Sequence, residues 1–592
     1  MPAVSELGLQ LPVIQTTEAG PRKPMLNNVM LIEPRNGYYT GFQDLVRTEP
    51  LGLEYIAGAL VSNDPNAPRY VNDVQIHDDR IQPGGWVDKI RQTPPDLVGI
   101  RCNYTADVKT VQNLVRQVRH EVGKDVPIIV GGHHISLRPE DIFIPEADAV
   151  VVGEGERTIR NAVGRWAQDH SFENVKNIWY RDHDNTWKGN VDPTPEKLST
   201  GVEFNSAEMD ERPTPRRDLV AQYRGGYYFL YYPGPYSLET ARGCQFRCNF
   251  CTIPQFHGGD YRVESPDRTV QEMLSLPEDA KYLNFVDDLA FRKYRRRESD
   301  GISYTEIDPG RDMASELLRL GQEGRFRFWA QIRADNVWPK DEAERAKAQE
   351  TVLMLRDCGL DMVLIGLESF DPAELKRVNK GSTVEQNINA INFLRENGIK
   401  IWGAQIIFPE WDIEDFDRLI QINQQLGIEC PQFTIYTPLP GSTLHKEVQA
   451  KGLLKTNDPS KFDFFHFVQD TRLPEEEMYR QIARGYRQTS AFAKKPDGRL
   501  LNPSQAKRQY RSMQRDIAEG RTNEAAIRAF TQRFADLQNE NVHLEHLMRV
   551  RETEVTGTGN QDSRIATLAG NALAQGGQES ITLDLDKPFN IG

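Results

Sequence analysis

The chain has 592 residues with 72 Lys and Arg against 86 Asp and Glu, a formal charge of −14. It has room for several hydrophobic cores and no overall charge suited to tracking a phosphate backbone, so nucleic acid is a disfavoured partner. Six cysteines, three of them within eight residues, make no disulfide framework and point to a reducing compartment.

Residues 1–24 read as a loose polar arm without the basic region and apolar run of a secretory signal. No stretch approaches the roughly 18 apolar residues of a membrane span, so no transmembrane segment is expected. Over residues 25–165, short β-branched runs alternate with helical patterns. NVMLI (28–32), VQIHD (74–78), DLVGIR (96–101), PIIVGG (127–132) and ADAVVVG (147–153) read as strands. PLGLEYIAGALV (50–61) and VKTVQNLVRQVRHEV (108–122) read as helices. The expected fold class is α/β, beginning with a doubly wound, Rossmann-like parallel sheet. Its ligand crevice should lie at the carboxyl ends of the strands.

Residues 166–235 are rich in Pro, Asp and Tyr and read as a linker with a small strand or two. Six β/α repeats follow over 236–454, starting with strands at YSLETAR (236–242), KYLNFVDD (281–288) and RFWAQIRA (327–334). Those at DMVLIGLES (361–369), KIWGAQIIF (400–408) and QFTIYTPL (432–439) complete the set. Six repeats are too few for a closed eight-stranded barrel, so a partial (β/α)6 barrel is expected. Residues 455–555 read as mainly helical, including an amphipathic helix or hairpin over 521–554. The Gly, Gln and Ser-rich tail, 556–592, reads as disordered.

The sharpest chemical signal is ARGCQFRCNFCTIP (241–254), which places Cys244, Cys248 and Cys251 in a Cys-x3-Cys-x2-Cys run after the first barrel strand. Soft thiolates suit iron–sulfur clusters and zinc alike. A structural zinc site needs a fourth ligand, for which His257 is the nearest candidate. Three thiolates alone hold three irons of a cubane and leave the fourth open. Cys102, Cys358 and Cys430 stand apart and read as small apolar residues.

The triplet, with Phe250 before its last cysteine, resembles the cluster loop of the radical S-adenosylmethionine (SAM) superfamily. The resemblance implies a [4Fe–4S] cluster whose open iron chelates SAM and whose reduction yields a 5′-deoxyadenosyl radical. It also implies an external electron donor of flavodoxin or ferredoxin type. FVDD (285–288) stands where that family contacts the methionyl amine, which makes Asp287 and Asp288 candidates, although the usual Gly-Gly-Glu is absent. QIRAD (331–335) resembles the third-strand segment and offers Arg333. IGLES (365–369) resembles the ribose-side motif and offers Glu368 and Ser369, and TPLPGS (437–442) resembles the adenine-side turn. Each charge taken singly could be an ordinary strand-end residue; their order along the repeats carries the likeness.

The first block resembles the cobalamin-binding domain fused ahead of one large radical SAM subfamily. Its strand-end loops offer Tyr104, Thr105, Gly131, Gly132, His133, Gly153, Glu154 and Gly155 as cofactor-binding candidates, with small turns that let a flat macrocycle and its tail approach the backbone. The loop after the first strand (33–50) lacks the Asp-x-His-x-x-Gly of cobalamin mutases, so cobalt is expected to have no ligand from it. His133 and His134 are placed at the nucleotide tail or loop rather than on the metal. The basic run RKYRRRESDG (292–301) reads as a solvated loop, with a lid over an anionic ligand as the alternative.

The layout is most similar to the hopanoid ring-A methylase and anaerobic magnesium-protoporphyrin ester cyclase group. This implies a cytoplasmic, cobalamin-dependent methyltransferase acting on an unactivated carbon of a small-molecule or lipid substrate, peripheral to the membrane in the lipid case. A second SAM would restore the methyl group on cobalamin. The alternatives are a non-methylating oxidative cyclase of the same architecture and a non-catalytic cobalamin or iron–sulfur sensor. No His or Glu nucleophile system is expected, because radical chemistry depends on positioning.

Overall fold

The computed structural model describes residues 25–35, 46–61, 69–191, 207–230, 232–297, 304–428 and 430–489. The N-terminal arm (1–24), the amphipathic stretch at 521–554 and the tail at 556–592 lie outside the described residues.

The first block is a sheet of seven strands. In chain order its elements are β1 Leu26–Glu33, α1 Leu51–Val61, β2 Val71–Asp78, α2 Trp86–Gln92, β3 Leu97–Arg101 and α3 Val108–Val122. They continue with β4 Ile128–Gly131, α4 His133–Leu137, β5 Ala149–Val151, α5 Gly155–Asp169, β6 Ile178–Arg181 and β7 Trp187–Gly189. The strand order is β2-β1-β3-β4-β5-β6-β7. The first five strands are parallel, and β6 and β7 add an antiparallel edge.

Every expected strand of this block is present. The stretch read as a linker with a small strand or two contributes β6 and β7, which join this sheet rather than standing apart. Strand alternation sorts the core into two layers. Val29, Leu31, Ile129 and Val151 face α1 and α5, while Met30, Ile32, Val98 and Val130 face α2 and α3.

The second block contains β8 Tyr236–Leu238, β9 Ala241–Gly243, β10 Tyr261–Val263, α6 Pro266–Ser275, β11 Tyr282–Phe285 and α7 Pro309–Arg319. It continues through β12 Arg327–Arg333, α8 Glu342–Asp357, β13 Leu360–Glu368, α9 Val384–Glu396, β14 Lys400–Ile407 and α10 Ile413–Leu426. β15 Cys430–Ile435, α11 Thr443–Ala450 and α12 Glu475–Thr489 complete it. Six strands, β8-β11-β12-β13-β14-β15, form one parallel sheet. The expected first strand is split: β8 stops at Leu238, and β9 pairs antiparallel with β10 in a separate hairpin.

Alternation again sorts the residues. Phe328, Ala330 and Ile332 of β12 pack outward with Val363 and Ile365 of β13 against the helices. On the other face Trp329, Tyr282, Met362 and Trp402 gather around Phe229 and Tyr232. Tyr232 stacks on Tyr282 at 3.6 Å and Phe229 on Trp329 at 4.6 Å. Phe229 and Tyr232 thus plug the amino end of the barrel, and Arg333 and Glu368 stand at the carboxyl end, where barrels of this kind build their sites. Of the expected helical C-terminal region, α12 is described; Tyr486 donates its hydroxyl to the Phe433 carbonyl and packs on that ring at 4.8 Å.

Candidate functional site

The three cysteines lie on the loop that closes the β9–β10 hairpin. Gly243 precedes Cys244 with φ of 84°, and a Cβ there would sit 2.2 Å from the Asp260 carbonyl oxygen, so the loop closes too tightly for any other residue. The loop is stapled to the barrel through its backbone and Asn249. Asn249 N–H donates to Val378 O (3.2 Å), its side-chain amide to Arg377 O (2.9 Å), and Leu444 N–H to Asn249 O (2.8 Å). Phe250 is half-buried against the core formed by β14, β15 and α12. Burial pushes the Cys244 and Cys251 thiols up, and each is raised further by its neighbouring cysteines and Asp288. Cationic metal is what converts such thiols to ligands.

Of the barrel candidates, Arg333 reaches this loop and Glu368 is linked to Arg333 through Lys380. Arg333, at the end of β12, lies over the Phe246 ring at 3.6 Å and reaches Cys248 Sγ at 3.9 Å. It also donates to Asp335 (2.9 Å) and to the Lys380 carbonyl (2.6 Å). Glu368, at the end of β13, accepts from Lys380 Nζ at 2.7 Å. Its φ of 58° puts a bulky residue in the left-handed region, a conformation that costs on the order of 1–3 kcal/mol and concentrates at ligand sites. Phe246 and Lys380 were not singled out from sequence. Phe246 stood inside the cysteine run, but Lys380 lies on a loop with no signal of its own.

Other candidates are committed locally. Asp287 accepts from Thr240 N–H (2.6 Å), Thr240 Oγ1 (2.7 Å) and Ala241 N–H (3.1 Å), and burial raises its carboxyl to about 7. Ser369 Oγ accepts from Asp371 N–H at 2.9 Å and donates to Glu374. Asp288 faces the opposite way from Asp287. It accepts from Gly243 N–H at 3.2 Å and lies 3.5 Å from His257 Nε2.

At the carboxyl ends of the N-terminal strands lies a cleft with about 1200 Å³ of open space, reaching in between the sheet and the helices α1 and α5. Its deep walls are Leu31, Gly99, Ile129 and Val151 from the sheet and Leu53, Ile56 and Ile159 from the helices. Gly131, Gly132, His133, Gly153, Glu154 and Gly155 line it, as do Asp288, Arg242 and His257 from the second block. Thr105 is buried with its hydroxyl 3.0 Å from His134 Nδ1, and Tyr104 is 59% exposed; neither lines the cleft. The glycines keep the slot open, since a Cβ at Gly99 would meet Leu31 Cδ2 at 2.8 Å and one at Gly155 would meet Ile56 Cδ1 at 2.8 Å. Arg101 also lines the cleft, and its buried Nε has no hydrogen-bond partner.

His133 crosses between the two blocks. Its Nε2 lies 2.9 Å from Thr252 Oγ1, and its ring packs on Phe256 with centroids 4.5 Å apart. Burial holds its imidazole down at about 4, against an ordinary 6.5. A base whose folded-state value is depressed adds stability above its unfolded value and loses it as pH falls toward the folded one. In cofactor-free protein, urea unfolding at about pH 7.5 and about pH 5 should show about 2 kcal/mol of acid destabilisation that His133→Asn removes. Equal acid sensitivity in the two proteins would contradict this.

The donor sets fit the groups the sequence implies. Among the described residues no three His, Cys, Asp or Glu side chains converge on one point as a single zinc would require, and His257 is turned to Glu154 and Asp288. A cubane instead takes each thiolate on a separate iron. The apolar, glycine-walled slot fits a flat heterocycle.

Residues 45–163 match the B12 binding domain family, and residues 238–422 match the radical SAM superfamily. The chain is 27% identical to hopanoid C-3 methylase of Methylococcus capsulatus, over 77% of its own length and 79% of that protein. It is 26% identical to the anaerobic magnesium-protoporphyrin IX monomethyl ester cyclase of Rubrivivax gelatinosus, over 74% of its length and 72% of the cyclase. In fold it is similar to the cobalamin-dependent SAM radical enzyme OxsB with aqua-cobalamin and SAM bound, with a TM-score of 0.58, 15% identity, and 93% of this chain and 84% of that one covered. It is also similar to the radical SAM methyltransferase TsrM from Kitasatospora setae, with a TM-score of 0.54, 18% identity, and coverage of 73% and 80%.

Proposed function

We propose that this chain, a radical SAM protein with an N-terminal B12-binding domain, methylates an unactivated carbon of a hopanoid or another lipid. The observation that carries the reading is the cleft itself. It begins at the strand ends of the B12-binding domain and is completed by Arg242, His257 and Asp288 of the radical SAM domain. A substrate held between the domains would face both cofactors.

When bound, the cluster and SAM supply the hydrogen-abstracting radical and cobalamin supplies the methyl group. The chain's own residues supply position. Cys244, Cys248 and Cys251 would hold the cluster. Arg333, Glu368 and Lys380 would shape the SAM side of the barrel mouth, while Gly131, Gly132, Gly153 and Gly155 admit the cobalamin. The inward aromatics around Phe229 close the amino end of the barrel against water. Asp287 and Ser369 would act indirectly, by holding the turns on which the contact residues stand.

The lipid assignment draws on the likeness to hopanoid C-3 methylase. The likeness to the ester cyclase favours a second reading, ring formation on a tetrapyrrole without methyl transfer. An electron donor of flavodoxin or ferredoxin type would reduce the cluster in the cytoplasm. A lipid substrate would bring the protein to the membrane surface, although no described helix is long and apolar enough to cross a membrane.

The test compares lipid and pigment extracts of wild-type and deletion strains, followed by anaerobic turnover with SAM carrying a CD3 group. A product that retains all three deuteriums supports the methyltransferase. A product of altered ring mass without label supports the cyclase reading instead.

A further inference from the structure

The hairpin beneath the cluster loop contains an arrangement that is unfavourable taken alone. In the β9–β10 ladder, Arg242 stands directly opposite Arg262. Like charges in register across a strand pair repel, and these two side chains are only 9% and 8% exposed. Arg242 donates Nε to Glu239 of its own block at 2.9 Å, but the carboxylate that both arginines share comes from the other domain. Glu154, in the turn between β5 and α5, accepts from Arg242 Nη1 at 2.6 Å through one oxygen and from Arg262 Nη2 through the other. Glu156, in the first turn of α5, accepts from Arg242 Nη2 at 2.6 Å. His257, inside the cluster loop, lies 3.4 Å from Glu154.

From this the structure assigns Glu154 as a positioning residue for the cluster loop: the B12-binding domain supplies the carboxylate that holds the β9–β10 stem in register and so sets the position of Cys244. The sequence alone marks Glu154 as a contact of the cofactor; here both its oxygens are turned to the stem. β9 runs straight into Cys244 through Gly243, whose tight approach to Asp260 transmits any slip of the stem to the first cysteine. Removing one partner of a buried charge set leaves the remainder uncompensated, so the stem should shift when Glu154 is neutralised.

The proposal rests on the reading of the three cysteines as a cluster seat, and its test separates the two. Full-length wild-type protein, Glu154→Gln, Arg262→Gln and the double variant are reconstituted anaerobically. Iron content, the electron paramagnetic resonance spectrum of the reduced cluster with SAM, SAM affinity and cobalamin affinity are then measured. Glu154→Gln should alter the cluster spectrum and weaken SAM binding about tenfold, the scale of coupling between contacting charges, with any loss of cobalamin affinity smaller than that. The double variant, which also removes the opposed charge, should recover the wild-type spectrum and SAM affinity.

A Glu154→Gln protein that loses cobalamin and keeps the wild-type cluster spectrum overturns the assignment in favour of a cofactor contact. Failure of the double variant to recover overturns it as well. If Glu154→Gln cannot be purified, the double variant decides alone, supporting the clamp when it binds iron and SAM as wild type does and overturning it otherwise. Wild-type protein that binds no iron overturns the cluster reading and the clamp with it.

Discussion

Alanine at Cys244, Cys248 and Cys251 together is expected to abolish iron binding and SAM cleavage in one step, and to leave cobalamin binding intact. The loop's position does not depend on its thiols. Asn249 fixes it to the 377–378 backbone and to the start of α11, and Asn379 of the same segment donates to Arg247 O at 2.7 Å. The polypeptide should therefore keep its shape while losing its ligands. Wild-type protein reconstituted anaerobically should hold about four irons and the variant essentially none. Deoxyadenosine formation, followed chromatographically, should fall to background in the variant. Stoichiometric zinc without iron in the wild-type protein would refute the cluster assignment, and a variant that still cleaves SAM would refute the role of these thiols.

What could be read in advance follows the range of the interaction that creates each feature. The strands of both sheets were legible because a buried parallel strand needs an almost unbroken run such as PIIVGG or DMVLIGL, bounded by turn residues. The cysteine run was legible because its spacing is local. Of the small strands expected in 166–235, Ile178–Arg181 and Trp187–Gly189 are present, but that they extend the first sheet as an antiparallel edge was not legible, since edge pairing leaves no periodicity. Asp287 and Asp288 show the limit at a single site. Adjacent residues at a strand end point to opposite faces, and sequence could not tell which faces the cleft. The structure turns Asp287 inward to Thr240 and Ala241 and leaves Asp288 lining the cleft. Lys380, Arg242 and Arg262 acquire their surroundings from contacts between distant segments, and Glu154 meets its arginines across a domain boundary. No periodicity records such pairings.

Filling the cleft from its glycine wall should have the second large effect, and Gly131→Leu is the substitution the geometry permits. Gly99 and Gly155 cannot accept even a Cβ without displacing Leu31 or Ile56. At Gly131 the added Cβ would lie 3.5 Å from Val151 Cβ, an ordinary contact, so the sheet should tolerate a side chain there. Gly131 and Val151 both line the cleft, and leucine would occupy the space proposed for the cofactor. Overpacking a fitted site costs on the order of 1–3 kcal/mol, which corresponds to as much as about a hundredfold in affinity. Gly131→Leu should thus weaken cobalamin binding by about that factor in a spectrophotometric titration, with Gly131→Ala close to wild type. Iron content should stay at the wild-type level, because the cysteine loop draws no ligand from β4. Deoxyadenosine should still form when SAM and a reductant are supplied, while transfer of the CD3 group to product stops. Tight cobalamin binding by Gly131→Leu would mean that the cofactor sits elsewhere. Full methylation by cobalamin-free protein would mean that the methyl group never passes through it.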